Sequence, residues 1–130
     1  MRKLSFILAL VIAFSCTNKT EIAKESATNF LNAYINYNYD EAAKFCTPDL
    51  CEKIKKSIDD YNNLDESVKN FIAQECSNLT PKITSAEQVG KSDTIIVNYQ
   101  LVKALNDSTT TPQITSTLKI ANGKIFQLNK

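Results

Sequence analysis

The chain has no histidine and no tryptophan, and only two glycines and three prolines among its 130 residues. Without histidine there can be no histidine-based catalytic triad, histidine metal site or histidine pH switch. With glycine only at positions 90 and 123, no glycine-rich phosphate loop can be built. An excess of one charge is missing too: 15 basic residues stand against 14 acidic ones, for a net charge of +1. Phosphate binding needs clustered Lys and Arg, so no nucleic-acid partner is expected. No apolar run reaches the ~20 residues of a membrane-spanning helix. What remains is ordinary globular composition, 43% apolar and 22% charged, enough for one domain with its own core.

The N-terminus carries the clearest signal. Met1-Arg2-Lys3 is a short basic segment. Leu4 to Phe14 is apolar apart from Ser5, the length of a signal-peptide hydrophobic region. The run ends in Ala13-Phe14-Ser15-Cys16. A small residue followed by Cys at this place resembles the lipobox of bacterial lipoproteins, with Ala13 standing where Leu is commonest. The resemblance implies cleavage before Cys16 and a diacylglycerol on its thiol. The expected organisation is a signal peptide over 1–15, a lipidated tether over 16–21 and a single domain over 22–130. Loss of Arg2 and Lys3 leaves 13 basic against 14 acidic residues. Stable anchoring takes more than one acyl chain, so the expected partner is a membrane. Thr17, where enteric lipoproteins retained in the inner membrane carry Asp, implies the outer membrane. Glu21 alone gives no acidic surface-export signal, which implies a domain facing the periplasm.

The domain opens with helical spacing. Ala23, Ala27, Phe30, Leu31, Tyr34 and Ile35 recur at three- and four-residue steps, predicting an amphipathic helix that ends near Tyr37-Asn38-Tyr39. Asp40 is expected to cap a short helix over 41–46. Thr47-Pro48-Asp49 is a helix start signal. Behind it Leu50, Cys51, Ile54, Ile58 and Tyr61 form one stripe; Leu64, Val68, Phe71, Ile72 and Cys76 form another. The period then changes to two. Ile83, Ser85, Glu87 and Val89 alternate weakly, followed by a turn at 90–93. Ile95, Val97, Tyr99 and Leu101 mark one face of a strong strand, and Ile114, Ser116, Leu118 and Ile120 one face of the next. Asn122-Gly123 is a tight hairpin turn before the last strand. Helices followed by an antiparallel meander predict an α+β domain with its helices on one face of about four strands.

Phe30-Leu31-x-x-Tyr34, then Asn38-Tyr39-Asp40-Glu41-Ala42-Ala43, then Leu118-Lys119-Ile120-x-Asn122-Gly123-Lys124 resemble the nuclear transport factor 2-like, or cystatin-like, superfamily. The likeness is greatest to small lipoproteins of Bacteroides-type bacteria, and it covers about residues 22–128. Ile125 stands where that family usually carries Trp. The resemblance implies a curled sheet closing a cone-shaped cavity, with Phe30, Tyr34, Val97, Tyr99 and Leu118 as candidate lining residues and a small apolar molecule as a possible ligand.

Chemistry is sparse. The expected inward strand faces offer Tyr99 and Ser116 but no carboxylate, and Glu87 is better read as an exposed strand residue than as a base. Lys53, Lys55 and Lys56 beside Asp59, Asp60, Asp65 and Glu66 read as a solvated face. After Cys16, three thiols remain. Without His or a CxxC pair they make a poor zinc site, and CxxxxC is not a redox motif. An antiparallel helix hairpin turning at 62–64 would set Cys51 against Cys76, the favoured pair in an oxidising compartment. Cys46–Cys76 and no bond stay open; Cys46–Cys51 is disfavoured by the Thr47-Pro48 corner. The expected function is that of a lipid-anchored, non-catalytic binding or interaction domain without cofactor or metal. An apolar-molecule-binding or weakly catalytic cone and an accessory or immunity-like subunit of a partner protein are the alternatives.

Overall fold

The computed structural model describes the backbone of residues 2–104 and 110–129 and the side chains of 19–103 and 114–129. Helix α1 runs from Arg2 to Ile35. Its stripe of Ala23, Ala27, Phe30 and Leu31 is almost wholly buried, and Ser26 is buried with it. Small side chains at 23 and 27 let the helix lie close on the sheet, and Phe30 fills the space beyond them.

The helix ends through backbone geometry. Tyr37 takes a left-handed φ of 56°. Its N–H donates to the Tyr34 carbonyl at 3.1 Å, and the Asn38 N–H reaches back to Ala33 at 2.9 Å. This is a Schellman ending with tyrosine where glycine is usual. A left-handed backbone costs a non-glycine residue about 1–2 kcal/mol. The Tyr37 ring stacks flat on Tyr61 of the third helix at 3.8 Å, an aromatic contact that offsets part of that cost. Asn38 then caps α2, Tyr39–Ala42, its Oδ1 accepting from the Glu41 N–H. The cap therefore falls two residues before Asp40, and only one helical turn precedes a 3-10 turn at Ala43–Phe45.

Helix α3, Pro48–Asn62, buries Leu50, Cys51, Ile54 and Ile58. Thr47 sits at its N-cap, but the side chain makes no capping bond. Instead the Thr47 N–H donates to the Ile125 carbonyl at 2.9 Å, tying the corner to the last strand. Helix α4, Glu66–Ser77, buries no residue. Of its expected apolar stripe, Leu64, Val68 and Phe71 are 42%, 43% and 64% exposed.

Strands β1 (Leu79–Gln88), β2 (Thr94–Ala104), β3 (Thr110–Ala121) and β4 (Lys124–Asn129) form one antiparallel sheet in the order β1-β2-β3-β4. The α+β class, the helices-first order and the four-stranded meander are as the sequence predicts. Ile95, Val97, Tyr99, Leu101, Leu118, Ile120 and Ile125 are buried under the helices. The other face is polar: Asn98 donates to Ser85 at 2.8 Å and accepts from Thr117 at 2.9 Å.

Two register shifts interrupt the strand alternation. In β1 the shift between Ile83 and Ser85 pairs Ile83 with Tyr99 and Ala86 with Val97, but Glu87 with Ile96. Glu87 therefore lies on the open face, exposed. In β2 the shift between Leu101 and Val102 interrupts the ladder just past Ile114, which pairs with Leu101 on the expected face but is 50% exposed there.

Candidate functional site

The five candidate pocket residues meet in one place, but as packing. Phe30, Val97 and Leu118 have no exposed surface, and Tyr99 retains 5%. Tyr34 is half-buried and stacks on Phe30 at 5.8 Å. None of these five lines any of four surface depressions of about 210 to 490 Å³. Burial raises the Tyr99 hydroxyl above its ordinary pKa; a hydrogen bond with Ser116 acts the other way, and nearby Tyr34 adds to the rise. Tyr99 is thus a neutral core hydroxyl with a partner across the β2–β3 ladder. Among the described residues no buried side-chain nitrogen or oxygen lacks a hydrogen-bond partner, so none is left aimed at a ligand.

The thiols pair differently from the expectation. Cys46 is bonded to Cys51, with Cα atoms 5.8 Å apart, and Cys76 is free. The helix-hairpin argument for Cys51–Cys76 fails because Cys51 belongs to the buried stripe of α3, directed at the segment before it. Its Sγ lies 3.4 Å from the Cys46 carbonyl oxygen and 3.7 Å from that of Ala43. The 3-10 turn and the Thr47-Pro48 corner fold Cys46 back over the first turn of α3, so the corner makes the pairing it was expected to prevent. Cys76 instead meets Tyr37. Burial, then the charge of Glu75, raises the Cys76 thiol, while a hydrogen bond from Tyr37 lowers it. Burial likewise raises Tyr37, followed by the influence of Cys76. No group of three or more Cys, Asp or Glu among the described residues could hold a metal ion. Cys16 falls within α1, and its side chain lies outside the described residues.

Two surfaces stand out, one on a stripe the sequence marked as apolar and one it did not mark. The first is the α4 stripe. Three polar ties hold α4 to the rest: the Tyr61 hydroxyl donates to the Lys69 carbonyl at 3.2 Å, Lys103 pairs with Glu75 at 3.3 Å, and Cys76 meets Tyr37. Its Val68 and Phe71 are left in water, while Ile72 and Cys76 are partly buried. The second is a cleft of about 210 Å³ where α1 crosses the hairpin end of the sheet. Ile22, Ile95 and Ile120 supply apolar walls, with Asn122 and Gly123 of the β3–β4 turn beside them. Lys19 and Asp93, paired at 3.4 Å and both largely exposed, stand at the same cleft. Among the depressions of about 430 and 490 Å³, two are lined mainly by polar groups such as Asn29, Asn32, Asp40 and Asp59. The alternation of Ile95 and Ile120 marked them as core, but no local pattern signals that Ile22 leaves a gap above them.

No protein-family model matches the chain, and no curated protein matches it. Among solved structures, the solution NMR structure of a de novo beta-sheet design protein is similar over 87% of this chain and 87% of that one, at 16% identity and a TM-score of 0.41.

Proposed function

We propose that this chain is a lipid-anchored, periplasm-facing domain that binds or engages a partner without catalysing a reaction, held at the outer membrane through Cys16. The observation that carries the reading is the basic segment, eleven-residue apolar run and Ser15-Cys16 ending, set directly before a packed α+β domain. The helices-first order over a four-stranded meander supports placing the domain in the nuclear transport factor 2-like superfamily, as a variant whose cone is filled by Phe30, Val97, Tyr99 and Leu118. Exposure of Glu87 leaves the catalytic alternative without a base at the sheet face under the helices. The partner-subunit reading has its own support in the exposed Leu64, Val68 and Phe71, since contiguous apolar surface marks interaction sites.

Detergent phase partitioning of the native protein and Cys16→Ser tests the anchor. Wild type should enter the detergent phase and the variant should accumulate unprocessed and unacylated. Identical acylation and partitioning would refute the reading. Capture of partners and lipids from membranes by the native protein, compared with Phe71→Ser, tests the interaction surface.

A further inference from the structure

We propose that the cleft between the start of α1 and the sheet hairpins holds an acyl chain of the lipid carried by Cys16. The inference rests on the lipoprotein reading and adds a built-in seat for the anchor. The cleft has apolar walls, Ile22, Ile95 and Ile120, and about 210 Å³ of room. At ~30 Å³ for a water-sized group, that takes on the order of seven methylene-sized groups, a segment of one acyl chain. Ile22 is 51% exposed although it adjoins Ile95 and Ile120, which are 5% and 1% exposed. An isoleucine half in water beside an apolar cleft is surface that a hydrocarbon chain would cover.

Position favours the chain's own lipid over a free one. The backbone of α1 is helical through Cys16. At ~1.5 Å per residue, Cys16 lies about 9 Å before Ile22 along the helix. That short backbone distance puts the cleft within reach of a chain tethered at residue 16. Tethering gives that chain a high effective concentration at the cleft, which a lipid free in the bilayer lacks.

A seated chain fixes the domain's orientation. Both tight turns, 89–93 and 122–123, lie at the cleft end of the sheet. The ion pair between Lys103 and Glu75 of α4 lies at the other end of β2, roughly 26 Å away at ~3.3 Å per residue. The hairpin end would face the bilayer and α4 would point away from it.

The test uses the full-length protein made in cells fed a fatty acid with a terminal diazirine, then irradiated in its native membrane and digested for mass spectrometry. The expected product links the acylated Cys16 peptide to peptides containing Ile22, Ile95 or Ile120. Ile22→Asp, which makes the wall polar, and Ile22→Trp, which fills the gap, should each lower that product several-fold while leaving Cys16 acylated. Position 22 is half-exposed, and unchanged thermal melting of the variants verifies that both fold. An acylated Cys16 cross-linked only to bilayer lipid overturns the inference and leaves the lipoprotein reading standing. A cleft adduct of phospholipid mass without Cys16 overturns it in favour of a free lipid. An unacylated Cys16 removes both readings together.

Discussion

Breaking the Cys46–Cys51 bond should destabilise the domain by about 2 kcal/mol. The two cysteines are five residues apart in sequence, and loop-closure entropy for so short a ring is ~2 kcal/mol at 25 °C. A Cys51–Cys76 bond would close about 25 residues and contribute ~3.5 kcal/mol by the same relation. Against a total of ~5–15 kcal/mol for a small domain, either loss is easily measured. Urea unfolding of the domain would be followed by circular dichroism, with and without reductant, for wild type, Cys46→Ala/Cys51→Ala and Cys76→Ala. Reduction should lower the wild-type midpoint; it should leave the double variant unmoved, because the bond is already gone. Cys76→Ala should keep its sensitivity to reductant. Loss of that sensitivity in Cys76→Ala would mean that Cys76 is a bonded partner. Three alkylatable thiols in the unfolded, unreduced protein would show that no bond forms.

Phe30→Ala, at a site with no exposed surface, should cost about 3–5 kcal/mol; a melting temperature within a degree or two of wild type would refute the packing of α1 on the sheet. In native-state hydrogen exchange the amides of α4 should exchange before those of α3, because α4 buries no residue and weakly buried segments open at low free energy. Tyr61→Phe, which removes the hydroxyl that donates to the Lys69 carbonyl, should speed α4 further at a global cost of ~1 kcal/mol; unchanged α4 exchange would show the tie to be idle. The last expectation concerns pH. Burial raises Cys76 from an ordinary 9.0 and Tyr37 and Tyr99 from 10.0. The folded state then holds these protons more tightly than the unfolded chain, so stability is complete below pH 9 and falls as pH climbs through the raised values. Urea midpoints that stay level or rise between pH 9 and 11 would contradict this.

Much of the architecture was legible because local chemistry and tertiary structure agree in most places. Alternation in Ile95, Val97, Tyr99 and Leu101 named the buried face of β2 correctly. Asn122-Gly123 named the last hairpin, and both residues take positive φ there, 53° and 75°. Legibility failed where one residue of register decides the outcome. The shift at Ser85 breaks the alternation that put Ile83 and Glu87 on one face, and no residue type in that stretch announces it, although Glu87 is exposed as expected. The disulfide failed for a similar reason: the reach of Cys46 depends on a 3-10 turn at 43–45, whereas the hairpin argument treated the corner as rigid. The end of α1 was placed near Tyr37-Asn38-Tyr39, but the left-handed Schellman ending at Tyr37 was hidden, because tyrosine carries none of the signal that glycine would.

The sharpest limit appears in comparing α3 with α4. Leu50, Ile54 and Ile58 repeat every four residues; Leu64, Val68 and, three residues on, Phe71 repeat almost as well. Both patterns predict an amphipathic helix, and both helices form. In α3 the stripe is 7%, 3% and 5% exposed; Leu64, just before α4, is 42% exposed, and Val68 and Phe71 on it are 43% and 64% exposed. Spacing fixes which side of a helix is apolar, but cover comes from what the topology brings alongside. The disulfide and the Thr47–Ile125 bond pull α3 onto β4 and the core. Helix α4 follows a break at Asn62-Asn63 and hands directly to β1, an edge strand, and among the described residues nothing covers its Val68 and Phe71. Fully burying a large apolar side chain is worth ~1.5–3 kcal/mol, so three side chains left about half in water forgo a few kcal/mol of stabilisation. That unspent driving force is what makes Leu64, Val68 and Phe71 the residues to substitute first when the partner surface is sought.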